Sequence, residues 1–384
     1  FQAEDGIRDR SPSRGLGDVY KRQQLMKYLS KLTTVMLAAM LSFGVVTTAS
    51  ADKLKVGFIY IGPPGDHGWT YAHDQARLMV EDQLGDQVET TFVEGVPEGP
   101  DAERAIAKLA ETGHKLIFTT SFGYMEPTLK VATRFPDGKF EHATGYKQAD
   151  NVATYSARFY EGRYVQGQIA AEMSKTGVIG YIASFPIPEV VRGINAFMLG
   201  AQTINPDMKV KVVWVYTWFD PPKEADAAKV LMDQGADIIT QHTDSTAAIQ
   251  AAADRGKFAF GQASDMIHFA PDTQLTSIID AWGPYYVART QAVLDGTWTS
   301  GDTWHGMAEG MVVMAPFTNM PFSVSQLARN TTEALTSGAL HAFTGPIYNQ
   351  AGELMVPAGE VAADFPMLVT MNWYVQGVDD KLPD

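Results

Sequence analysis

Lys55-Val-Gly-Phe-Ile-Tyr-Ile-Gly-Pro-Pro-Gly-Asp-His-Gly-Trp-Thr70 is the stretch on which the fold turns. Its apolar run at 56–61 reads as a buried β-strand, and the glycines and prolines after it as a tight loop. Small or apolar residues then recur on one face through 71–80, which is a helical period. Strand, Gly-rich loop and helix open a parallel α/β unit. Ligands of such sheets bind beyond the carboxyl ends of the strands. Asp66, His67 and Trp69 therefore stand where a small molecule is read. Trp69 either stacks on a planar ligand or packs on its own loop. The loop lacks the run of backbone donors and the Lys that a phosphate cradle needs.

Outward from this unit the rhythm repeats. Strands are expected at 88–93, 115–120, 139–143 and 152–157, with helices at 101–111 and 126–134. A helix at 160–173 leads into a second round. There, strands at 178–183, 209–216, 237–240 and 258–261 alternate with helices at 190–204, 223–234 and 246–255. Beyond 275 the chain crosses back through a strand at 276–279, a helix at 285–294, a β-ribbon at 305–315 and an amphipathic helix at 321–337. Short strands and turns follow. Two successive α/β units without a low-complexity linker suit lobes joined by several chain crossings. The expected division is a first lobe at 52–157 completed by 281–315, and a second at 158–280 completed within 316–384.

The chain has 384 residues and a formal charge of -14, which argues against nucleic acid and anionic membrane as partners. It has no cysteine, so disulfides, thiolate metal sites, a Cys nucleophile and a lipid-modified N-terminal Cys are excluded. Residues 1–25 are polar and aperiodic and read as a non-native leader. From Met26 a basic start, an apolar run at 32–46 and Ala49-Ser50-Ala51 make a cleavable secretory signal peptide over 26–51. The expected mature product is a freely diffusing periplasmic monomer, neither inserted in the membrane nor a lipoprotein.

No G-x-S-x-G elbow, Walker A, G-x-G-x-x-G or H-E-x-x-H occurs, and the eight histidines lack ligand spacing. This shifts the reading from enzyme to binding protein, with no metal and no cofactor. Aromatic residues recur beyond strand ends at Trp69, Phe122, Tyr124, Phe185, Trp218, Phe219 and Trp282. Ser121 shares the loop with Phe122. Carboxylates accompany them at Asp66, Asp220, Asp244, Asp265 and Asp280. Flat rings and carboxylates facing each other across a cleft suit a neutral planar ligand with N–H donors. Phe185, Phe219 and Tyr124 read equally as packing. Asp220 reads as a helix cap and Asp244 as a second one. Glu161 and Arg163 read as a hinge ion pair.

Taken together, Lys55-Val-Gly-Phe-Ile-Tyr60, Gly68-Trp69-Thr70, Tyr160-Glu161-Gly162, Phe197-Met-Leu-Gly-Ala201, Trp218-Phe-Asp-Pro-Pro-Lys-Glu224 and Leu275-Thr-Ser277 resemble the basic membrane protein (BMP) family. Its members are substrate-binding proteins of ABC importers, similar to the bacterial purine nucleoside receptor. The resemblance implies a type I periplasmic-binding-protein fold, with two Rossmann-like lobes, three hinge crossings and the ligand in the cleft. It implies an ABC permease as partner. It also implies Trp69 and Trp218 as the two rings that sandwich a purine, and Asp265 as the kept member of an acidic pair. The chain departs from the family where Asp280 replaces a Lys after Thr276-Ser-Ile-Ile, with Trp282 nearby. The charged groups that hold ribose in the family are thereby reduced, and the expectation becomes a bare purine base, adenine over hypoxanthine. Asp66, Ser121, Phe122, Asp244 and Trp282 complete the expected site. A sensor subunit for a membrane receptor, a binder of nucleoside or sugar, and a secreted nucleosidase are the readings left open beside it.

Overall fold

In the computed structural model, which describes residues 52–383, the first unit forms as its hydrophobic period dictates. It runs β1 (Leu54–Ile59), α1 (Trp69–Leu84), β2 (Val88–Val93), α2 (Pro100–Glu111), β3 (Leu116–Thr119), α3 (Met125–Arg134), β4 (Lys139–Ala143) and β5 (Val152–Ala157). The second unit begins with α4 (Phe159–Met173) and repeats the order: β6 (Val178–Ala183), α5 (Pro188–Gln202), β7 (Lys209–Trp214), α6 (Pro221–Asp233), β8 (Ile238–His242), α7 (Ala247–Asp254), β9 (Phe258–Gly261) and β10 (Gln274–Asp280). Then come α8 (Gly283–Leu294), β11 (Asp302–His305), β12 (Val312–Met314), α9 (Phe322–Thr336), and a small hairpin of β13 (Ile347–Tyr348) and β14 (Leu354–Val356). The leader and signal-peptide readings fall on residues 1–51, outside the described residues.

Two six-stranded sheets result, ordered β2-β1-β3-β4-β5-β11 and β7-β6-β8-β9-β10-β12. All pairs are parallel except β10 with β12. The first strand of each unit lies between the second and third, so each sheet has a topological switch point beside its opening strand. The chain passes between the sheets three times: after β5, after β10, and between β11 and β12. This is the mixed α/β architecture of periplasmic-type solute-binding proteins. The ribbon expected at 305–315 does not form. The alternating residues there split, with β11 joining the first sheet and β12 the second, because this segment is itself a crossing.

Helix starts follow the sequence closely. Pro100, Pro188 and Pro221 open their helices, where a missing N–H costs nothing. Asp220 caps α6 by accepting from the Lys223 amide at 3.2 Å. The crossing helix α4 is buried on nearly every side, from Phe159 to Ala171. It can lie so close to α5 because a Cβ at Gly167 would sit 1.9 Å from the Phe197 carbonyl oxygen. Arg163 of α4 is fully buried and makes no pair with Glu161. Its guanidinium donates to Gln166 and Thr240, each at 3.2 Å, and to Gln262, so it braces the second sheet from within. Among the described residues no helix is long and apolar enough to cross a membrane.

Candidate functional site

The carboxyl ends of the two sheets face each other, and the loops beyond them touch. A Cβ at Gly68 would lie 2.1 Å from the backbone oxygen of Asp244. The Ser264 hydroxyl donates to the His67 carbonyl, and the His67 and Phe269 rings lie 4.7 Å apart. The cleft is therefore closed. It leaves a narrow cavity of about 20 Å³ lined by Ile61, Trp69, Ser121, Phe122, Thr144, Glu189, Trp218, His242, Asp244 and Gln262. A space of that size holds little more than a water or two, so a ligand enters only as the lobes part.

Trp69 opens α1, and its indole N–H donates to the Thr120 carbonyl at 2.6 Å, which fixes the plane of the ring. His73 and Trp282 meet it edge-on at 4.5 and 5.6 Å. The loop before it is set by Asp66, whose carboxylate accepts from the amides of Gly68, Thr70 and Tyr71 at 2.8–3.0 Å. Burial lifts the Asp66 carboxyl to about 6 against the pull of those amides. Trp218 comes from the loop after β7 and packs on Phe185 at 5.2 Å. Its carbonyl accepts from the Asp244 amide at 3.0 Å. Glu224 of α6 ties these two loops together, accepting from the Asp220 amide and from both the amide and hydroxyl of Ser245 at 2.7–3.0 Å.

The polar chemistry of the cleft is unfinished. On the lining, Asp244 Oδ2, Glu189 Oε2 and the indole nitrogen of Trp218 are buried without a hydrogen-bond partner; behind it, both carboxylate oxygens of Asp280 and the indole nitrogen of Trp282 are also unpaired. Buried polar atoms are rarely left this way, and each costs free energy until it is paired. Burial holds Asp244 and Asp280 well above the usual carboxylate range. Neighbouring Asp66 adds to the effect on Asp244, while Arg163 opposes it at Asp280. Glu189 is positioned by His242 Nε2 at 3.5 Å and Arg192 at 3.9 Å.

Of the residues expected from sequence, Trp69, Ser121, Phe122, Trp218 and Asp244 come together on the lining. Asp280 ends β10, one hydrogen bond from the segment carrying Gln262: its amide donates to Ala263 at 2.9 Å. Trp282 is 1% exposed and stacks on His73 at 5.0 Å, so it backs Trp69 instead of lining the space. Asp66 lies outside the lining and spends its carboxylate on the helix start. Asp265 also lies outside: it is exposed and bonds the Ile267 amide and Gln274. Asp244 does not cap α7; the Ser245 hydroxyl takes the Ala247 amide. Glu189, His242, Gln262 and Thr144 are lining residues that pattern reading misses. Among the described residues no group of three or more His, Cys, Asp or Glu is placed to hold a metal ion.

The pattern of the Bmp family, described as ABC transporter substrate-binding protein PnrA-like, matches residues 53–335. A purine-binding protein of Brucella abortus is 69% identical over 332 residues, covering 86% of this chain and 95% of that protein. A protein of Haloferax volcanii with the provisional name ABC transporter glucose-binding protein is 36% identical over 336 residues, covering 87% and 83%. Among solved structures, an ABC transporter solute-binding protein from Aeropyrum pernix superposes with a TM-score of 0.65 at 21% identity, covering 75% of this chain and 92% of that one. The chain belongs to the Bmp family of PnrA-like ABC transporter substrate-binding proteins, which act not as enzymes but as carriers that bind a small molecule and work with a permease.

Proposed function

We propose that the chain binds a free purine base in its closed cleft, adenine in preference to hypoxanthine, and delivers it from the periplasm to an ABC importer. The observation that carries this reading is the pair of unpartnered buried acceptors at Asp244 and Glu189, on one lining with Trp69 and Trp218. Adenine offers a flat face to the rings and N–H donors to the carboxylates, and its ring nitrogens can take the free indole N–H of Trp218. Hypoxanthine would turn a carbonyl toward the carboxylates in place of the amino group. The name of the Brucella relative supports a purine ligand.

The Haloferax relative favours a second reading, with glucose as ligand, since sugar sites also combine Trp faces and carboxylates. A thermal-shift series on ligand-stripped protein separates the two. Adenine should raise Tm clearly, hypoxanthine and adenosine less, and glucose not at all. A shift with glucose alone overturns the purine reading; a larger shift with adenosine than with adenine overturns the preference for the free base.

A further inference from the structure

The closed cavity is not sealed on all sides. Phe122, Thr144 and Glu189 line it and also line a second, wider space of about 860 Å³ that opens to solvent. A bare base held between Trp69 and Trp218 would leave this outer space unused. Yet its mouth carries two large rings that face solvent, Tyr146 at 57% exposure and Phe365 at 76%. Ile187 and Val369 add apolar surface to the lining. Exposed rings gathered around a cleft mark a contact surface.

The charges of this space are already committed. Arg158 holds Asp364 through two hydrogen bonds of 2.8 and 2.6 Å and lies 4.3 Å over the Trp304 ring. Arg192 lies over the same ring at 4.9 Å and donates to the Leu368 carbonyl at 3.3 Å. With both guanidinium groups engaged, a phosphate tail would find no free cation here. An apolar group would instead bury Tyr146 and Phe365.

We propose that the site accepts purines carrying one bulky apolar substituent, with the base between Trp69 and Trp218 and the substituent in the outer space. This rests on the purine reading above. The Thr144 and Glu189 side of the cavity is the passage between the two.

Isothermal titration of adenine, N6-benzyladenine, 9-benzyladenine and AMP tests it. At least one benzyl compound should bind within about tenfold of adenine, and AMP at least about a hundredfold more weakly. The double variant Tyr146→Ala/Phe365→Ala should weaken that benzyl compound about fivefold and leave adenine within about twofold. The proposal is overturned if both benzyl compounds bind a hundredfold more weakly than adenine, if AMP binds as well as they do, or if the double variant weakens adenine and the benzyl compound alike. Absence of adenine binding would remove the purine reading itself, and this proposal with it. Loss of benzyl binding with adenine binding intact would remove this proposal alone.

Discussion

Gly68 of the first lobe and Asp244 of the second meet so closely that a single added methyl group at Gly68 would lie 2.1 Å from the Asp244 carbonyl oxygen. The nearest atoms are backbone, so they cannot swing aside. Gly68→Ala should therefore hold the cleft ajar. Ligand affinity should fall at least about tenfold, with little change in the Tm of the ligand-free protein. Small-angle scattering checks the cause: the variant should fail to contract when ligand is added.

Asp280 is 3% exposed and neither of its oxygens has a partner. If a ligand N–H completes it, Asp280→Asn should weaken binding by about 1.5–3 kcal/mol, the range for a hydrogen bond to a charged group. The ligand-free protein should lose no stability, because the variant removes a buried acid and not a satisfied bond. Calorimetry and thermal melts read both. Unchanged affinity would return Asp280 to a structural role.

Binding should depend on pH in a defined direction. Burial raises the carboxyl groups of Asp244 and Asp280, so the empty site holds protons more tightly than free carboxylates do. Ligand N–H donors favour the ionised form, so binding expels those protons. Affinity should rise as pH is raised beyond the ordinary carboxylate range, and the heat of binding should vary with the ionisation enthalpy of the buffer. A flat profile would show that neither acid is engaged.

Glu161 predicts a pH effect of a different kind, on stability. It lies at the first crossing and accepts from the Met307 amide of the third at 2.7 Å. Burial raises its carboxyl to about 7 from an ordinary 4.5. A raised folded-state value means that its contribution to stability is complete below about 4.5 and is lost as pH rises through about 7. The Tm of the wild type should fall more steeply between pH 5 and 8 than that of Glu161→Gln.

The two rings should each carry stacking energy. Trp69→Ala or Trp218→Ala should cost about 1–3 kcal/mol of binding. Trp69 is also braced by Thr120, so Trp69→Phe tests the indole bond separately: stacking stays and the hydrogen bond goes.

How far the site can be read from sequence follows from what periodicity encodes. Hydrophobic period marks strand ends, and strand ends carry Trp69, Ser121, Phe122, Trp218 and Asp244 to the cavity lining. Period says nothing about where a side chain spends its hydrogen bonds. Asp66 and Asp265 look like ligand carboxylates by position, yet both are consumed by nearby groups. Glu189 escapes notice because it falls just before the helix expected at 190–204, as one more acid in an acidic chain, whereas the helix starts at Pro188. His242 falls just beyond the strand expected at 237–240, one of eight histidines without ligand spacing, and the structure extends that strand to it; Arg163 hides as half of an ion pair that does not form. The split of 305–315 between two sheets is equally hidden, since alternation is the same whether neighbouring strands share a sheet or not.

The most direct test is calorimetric titration of ligand-stripped wild-type protein with adenine and, in parallel, with glucose. A cleft built for a purine should give saturable one-to-one binding of adenine and no heat with glucose. Saturable binding of glucose with none of adenine would contradict it.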